Sequence, residues 1–203
     1  MLAHPDSLAS GGTRERLLRA AAEAFFADGY HASMDSIAAR AEVAKQTLYN
    51  HFSSKDALFG EVVRIATQSI LLSLDGDSRD LRSTLAQFAM AFRAKALSPE
   101  GIAMFRTLIS EAQRFPTLAR AVFAVGPGQT HRQLSAHIEK AMSSGQLRSD
   151  DPDFASEMLL GMLTCMDRTR ALFGVENPSP GADAGKTARI IDCFLRAYAP
   201  NLE

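Results

Sequence analysis

The chain has 203 residues, a formal net charge of −1, 46% hydrophobic and 22% charged residues. Those are the proportions of an ordinary globular protein able to bury a substantial core, and the near-neutral charge argues against a generic nucleic-acid coat. With two cysteines at unpaired spacing, a disulfide framework and a zinc site are excluded, and buried, reduced thiols at Cys165 and Cys193 are expected.

The N-terminal MLAHPDSLASGG has neither a cationic start nor an apolar core, so it is expected to be a disordered tail over residues 1–12 rather than a signal peptide. A helix is predicted from Thr13, its cap, with Leu18, Ala21, Ala22 and Phe25 buried and Gly29 ending it in the left-handed region. Ser33 then caps a short helix carrying Ile37, Ala38 and Ala41, and after Glu42 and Val43 a second short helix begins near Lys45. Leu48 and Phe52 lie four residues apart on its buried side. Lys45, Gln46, Thr47, Tyr49, Asn50 and His51 remain for the free face, the hydrogen-bonding display that major-groove reading requires.

Ser53 with Asp56 reads as a capping box for a longer helix whose stripe is Leu58, Val62, Ile65, Ser69 and Leu72. After a loop over 74–80, the spacing of Leu81, Leu85, Phe88 and Phe92 predicts an amphipathic helix. Ser98-Pro99 starts another, which carries Ile102, Phe105, Leu108, Ile109 and Ala112 and breaks at Phe115-Pro116. A short piece runs to Val125; Leu134, Ile138 and Ala141 mark the next helix, closed by Gly145. Asp151-Pro152 opens a helix reaching Gly174, and after a loop over 177–185 a last helix carries Ile190, Ile191, Phe194, Leu195 and Tyr198. Both are apolar around much of their circumference, which predicts that their outer faces meet a second copy of the chain. The longest apolar run, 158–166, is too short to span a bilayer, and a cytoplasmic protein is expected.

The pieces FFADGY, MDSIAARAEVA and TLYNHFSSKDALF, in that order and spacing, resemble the DNA-binding domain of the tetracycline-repressor (TetR) family. EAQRFPTLARAVF (111–123) is similar to the regulatory domain of its AefR-like subgroup. The resemblance implies an all-α fold of about nine helices, with a three-helix helix-turn-helix domain at 13–59 and a helical regulatory and dimerisation domain at 60–203. It implies a homodimer that binds a palindromic operator, most often as a repressor, and lets go of DNA when a small apolar or amphipathic ligand binds. Carried over by position, Lys45, Gln46 and Thr47 face bases or nearby phosphates; Tyr49, His51 and Lys55 contact phosphate; Ser33 brings a helix start to the backbone. Two positions depart from the pattern. Glu42 stands where the turn often has Gly, a cost of about 1 kcal/mol if φ is positive. Ala44 stands where a Ser often caps the second helix, a loss of about 1 kcal/mol.

Candidate ligand-pocket residues are Phe88, Phe92, Phe105, Ile109, Met162 and Met166, on inward-looking stripes that serve a core equally well. His131 shares a face with Leu134 and Ile138, as a satisfied core histidine or a ligand contact. Arg106 and Arg168 suit an anionic ligand or intrahelical ion pairs. Residues 1–60 carry six Lys/Arg against seven Asp/Glu, so the reading domain lacks the basic excess usual for one. That balance suits a second reading, a helical small-molecule carrier without DNA binding. No phosphate-cradling glycine loop, metal-ligand spacing or nucleophile motif points to an enzyme, a catalytic residue, a metal or a cofactor.

Overall fold

The computed structural model describes residues 12–74, 80–175 and 180–200, with the side chains of 180–183 left aside. The expected tail lies outside the described residues, apart from Gly12, as do the centres of the loops at 75–79 and 176–179. Among the described residues the regular structure is all helix: α1 (Thr13–Asp28), α2 (Met34–Arg40), α3 (Lys45–His51), α4 (Lys55–Leu71), α5 (Leu81–Ala96), α6 (Pro99–Glu111), α7 (Pro116–Val125), α8 (Pro127–Ser143), α9 (Pro152–Leu172) and α10 (Pro180–Ala197), with single 3₁₀ turns at Gly29–His31 and Leu72–Leu74. Five helices start on proline, whose fixed φ suits the first turn and whose missing N–H is not needed there. The chain divides into two compact units, Met1–Val62 and Val63–Glu203.

In the first unit α1 contributes Leu17, Leu18, Ala20, Ala21, Ala24 and Phe25 to a core completed by Met34, Ile37, Ala38, Leu48, Phe52, Leu58 and Phe59. Phe25 meets Phe59 edge to face at 4.8 Å, and Tyr30 meets the same ring at 5.4 Å. Phe25 and Phe59, both fully buried, contribute about 1.5–3 kcal/mol each. In the second unit one continuous core joins α5 (Leu81, Leu85, Phe88), α8 (Leu134, Ile138), α9 (Ala155, Leu159, Leu163) and α10 (Ile191, Phe194, Tyr198). Gly101 lies where α6 crosses the end of α5; a Cβ there would run into the Lys95 carbonyl, so the crossing requires glycine.

Several boundaries differ from expectation. Thr13 is the first helical residue of α1 rather than its cap, and Gly12 precedes it without a side-chain bond. Ser54, not Ser53, caps α4: its Oγ accepts from the Ala57 N–H at 3.1 Å. On α4, Leu58 and Val62 are buried as expected, but Ile65 is exposed, as is Leu72 in the following 3₁₀ turn, while Phe59, Val63 and Ile70 are buried. Two apolar ridges run side by side along this helix, and only packing partners choose between them. α10 begins at Pro180 instead of after residue 185. Both cysteines are free, but exposed rather than buried, because each lies on an outward face of its helix. Among the described residues one segment, Lys55–Leu74, is long and apolar enough to cross a bilayer by length and composition alone. Its Leu58, Phe59, Val62, Val63 and Ile70 are buried in protein.

At Cys165 the backbone of α9 leaves helical geometry (φ 0°, ψ −108°). Two residues earlier the Leu163 carbonyl accepts from the Arg93 guanidinium, a side chain entering the ladder as it does at many helix kinks. Arg93 also binds the Asp167 carboxylate at 2.9 Å, and both groups are almost wholly buried. Lys186 from α10, at 2.5 Å, and Arg170, at 3.2 Å, reach the same carboxylate from more exposed positions.

Candidate nucleic-acid interface

In the first unit α2 starts at Ser33, whose Oγ accepts from the Ser36 N–H at 3.0 Å. It ends in a paired closure: the Val43 N–H reaches the Ala38 carbonyl at 3.0 Å and the Glu42 N–H the Ala39 carbonyl at 3.1 Å. That closure requires a left-handed residue after the cap. Glu42 fills it at φ 56°, where the same closure after α8 uses Gly145 at φ 76°. The sequence-based concern about Glu42 is therefore real: a side chain occupies a conformation that costs about 1 kcal/mol relative to glycine. Ala44 precedes α3 with extended backbone and no capping oxygen.

α3 is held by Leu48, fully buried, and by Phe52 just beyond its end. With that side anchored, Lys45, Gln46, Tyr49, Asn50 and His51 are exposed and Thr47 is half-buried. The structure thus brings the six predicted α3 residues onto one short helix. Gln46 Nε2 donates to Asn50 Oδ1 at 3.1 Å, aligning two amides that can each pair with a base edge. Lys55 sits at the start of α4 with its ammonium 4.3 Å from the centre of the Tyr30 ring, whose hydroxyl donates to Asp56.

Three contributors escaped the sequence reading. Asp35 holds the Lys45 ammonium across the turn, and its hydrogen bond and charge push the Lys45 pKa up. Arg14 lies over the Phe52 ring at 5.5 Å and pairs with Glu61. Tyr30 orients Lys55. Their partners are 10 to 47 residues away in sequence, so no helical periodicity connects them.

The pocket candidates of the second unit are less gathered. Phe88 is wholly inside the core, stacked on half-buried Phe92 at 5.7 Å. Phe105 carries the Arg168 guanidinium at 4.7 Å from its centre, and partial burial pushes that guanidinium's pKa down. Arg106 donates to the Leu172 carbonyl at 3.2 Å. Met162 is half-buried, whereas Ile109 and Met166 are exposed at 58% and 53%. His131 is half-buried, its Nε2 3.3 Å from the Asp153 carbonyl.

Two short helices joined by a tight turn, the second presenting amides, an ammonium and a phenol from an apolar anchor, define a helix-turn-helix protein of the kind that regulates transcription. Residues 17–62 match the family described as bacterial regulatory proteins, tetR family, and residues 83–200 match the AefR-like transcriptional repressor C-terminal domain. The chain belongs to the TetR family of transcriptional regulators. It is 24% identical over 203 residues to the uncharacterized HTH-type transcriptional regulator YdgC of Bacillus subtilis (strain 168), covering 93% of each chain. Among solved structures it is similar to the flavonoid-responsive regulator FrrA (30% identity, TM-score 0.72, 94% of this chain and 98% of that one). It also matches a TetR family transcriptional regulator from Pseudomonas syringae pv. tomato str. DC3000 (26% identity, TM-score 0.70, 92% and 96%). Regulators of this family bind DNA operators and act as dimers; repression and response to a ligand are typical of them, and they are normally not enzymes.

Proposed function

We propose that this chain is a cytoplasmic homodimeric repressor whose two copies of α3 enter successive major grooves of a palindromic operator. Each copy leaves the DNA when a small apolar or amphipathic molecule binds in the second unit. The observation that carries this reading is the free face of α3: Lys45, Gln46, Tyr49, Asn50 and His51 exposed on a helix whose other side is locked by Leu48. Gln46, Lys45, Thr47 and Asn50 read or flank bases, while Ser33, Tyr49, His51 and Lys55 hold phosphate. The domains are 13–59 for reading and 60–203 for regulation, the second including α9 and α10 as the dimer contact. Phe154 and Phe173, exposed apolar groups on or just after α9, support that contact. The stretch Ser33–Lys55 carries only +1, so one copy attracts phosphate weakly and a second copy at fixed distance supplies the remainder.

The pocket assignment (Phe88, Phe92, Phe105, Ile109, His131, Met162, Met166) belongs to the same proposal. Planar aromatic compounds are the first class to screen, given the flavonoid response in FrrA's description.

Selection of bound duplexes from random DNA tests the reading. Two inverted half-sites with centres roughly 34–36 Å apart, or a multiple of that, are expected. Recovery of no sequence, with affinity insensitive to salt, would identify a ligand carrier instead. Tyr49→Phe and Lys55→Ala should weaken binding to all duplexes alike, whereas Gln46→Ala should shift the recovered sequence. Uniform loss for all three removes Gln46 as a base reader.

A further inference from the structure

Lys45 opens α3, and its ammonium sits in the fork of the Asp35 carboxylate, 2.7 Å from Oδ1 and 3.0 Å from Oδ2. Both side chains are more than half exposed, so solvent screens the pair, and it biases the ammonium toward Asp35 without packing to fix it. The free face of α3 that Lys45 leads includes the Gln46–Asn50 amide pair. A cation paired with a carboxylate displaces fewer counterions on meeting a phosphate, since part of the charge it brings is offset. Hydrogen bonding to a guanine edge has no such requirement: it needs an N–H donor in a defined position. Of the three ammonium N–H groups the carboxylate occupies at most two, and at least one remains to donate. Biasing a four-carbon stem toward one position before DNA arrives also removes part of the ordering cost that a free lysine meets on binding.

We infer that Asp35 turns Lys45 from a phosphate contact into a reader of bases, making Asp35 a positioning residue for sequence discrimination. The inference rests on the DNA-reading assignment of α3 proposed above. It also accounts for an acidic group on the first turn of α2, beside the phosphates that Ser33 is expected to meet. Without Lys45, the phosphate attraction of Ser33–Lys55 rests on Arg40 and Lys55.

The test is a cycle of four full-length proteins: the native chain, Asp35→Ala, Lys45→Met and the double variant. Affinity for the duplex recovered by selection, and for a scrambled duplex of equal length, is measured between 50 and 200 mM salt. With Lys45 present, Asp35→Ala should tighten binding to the scrambled duplex at low salt. Its salt slope should steepen by about 0.9, an extra loss of roughly 3.5-fold over that range. The ratio of selected to scrambled affinity should fall by about tenfold, within the worth of one base contact. In the Lys45→Met background the ratio of selected to scrambled affinity should not move, because removing the unpaired carboxylate relieves repulsion from both duplexes alike. Helix content and melting temperature confirm folding, and Asp35→Asn, which keeps the side-chain volume, replaces the alanine variant if that one melts early. An unchanged ratio, or the same change with and without Lys45, overturns the inference and leaves Asp35 as a general charge. If selection recovers no duplex, the DNA-reading assignment falls and this inference with it.

Discussion

Replacing Asp167 by Ala removes the carboxylate opposite a guanidinium that stays buried. Arg93 and Asp167 are 2% and 5% exposed at their side chains and 2.9 Å apart, so this is a pair out of water. Breaking such a pair by deleting one member costs about 3–5 kcal/mol, most of it the stranded charge. Lys186 and Arg170, 43% and 41% exposed, add about 0–1 kcal/mol each because solvent screens them. For a chain of this size the loss lowers the melting temperature by about 6–20 °C. Urea unfolding at fixed protein concentration, followed by helix signal, measures it; concentration must be held constant because association adds apparent stability. Combining Asp167→Leu with Arg93→Met removes both charges, and that double variant should recover most of the loss. A loss under 1 kcal/mol for Asp167→Ala, or a double variant no better than the single one, refutes the assignment of a buried charge pair stitching α5 to α9.

The same carboxylate sets an acid dependence. Burial pushes the Asp167 pKa up, but hydrogen bonds from Lys186 and Arg93 outweigh it and leave the pKa below the usual carboxylate range. A depressed folded pKa adds stability above the unfolded value, about 3.9, and that stability is lost as pH falls through the folded value. The stability gap between the native chain and Asp167→Asn should therefore be constant from pH 7 to about 5 and narrow below about pH 4; a gap that widens on acidification contradicts the sign. Glu42→Gly should stabilise the first unit by about 0.5–1 kcal/mol, the relief of φ 56° exceeding the extra flexibility of the unfolded chain. A destabilised variant in denaturant melts would show that Glu42 makes compensating contacts. Ala44→Ser should add about 1 kcal/mol by capping α3, read as a higher melting temperature; no gain would mean that the serine oxygen fails to reach the Thr47 or Gln46 N–H.

The helices and several of their ends were legible because they depend on neighbours in sequence. Ser33, Ser98 and Asp151 each cap a helix through a side-chain oxygen, and Gly29, Gly145 and Gly174 take positive φ where the chain turns. The anchor of α3 at Leu48 followed from spacing alone, and with it the face left free. Capping at Ser53 or Ser54, or burial of one α4 ridge or the other, was not legible, since both choices satisfy the same local pattern.

What the sequence by itself determined is the all-helical class, the helix-turn-helix and the residues on the free side of α3, all consequences of 3.6-residue periodicity and local capping. Tertiary structure alone decided the pairing of Asp35 with Lys45 across a turn, the support of Lys55 by Tyr30, and the node of Arg93, Asp167 and Lys186 drawn from three helices. It also left Ile109, Met166 and both cysteines exposed while taking Phe88 fully inside. The physical reason is the same in each case. A charge or an apolar side chain is satisfied by whatever packing brings near it, and those partners lie at sequence separations that no local pattern encodes.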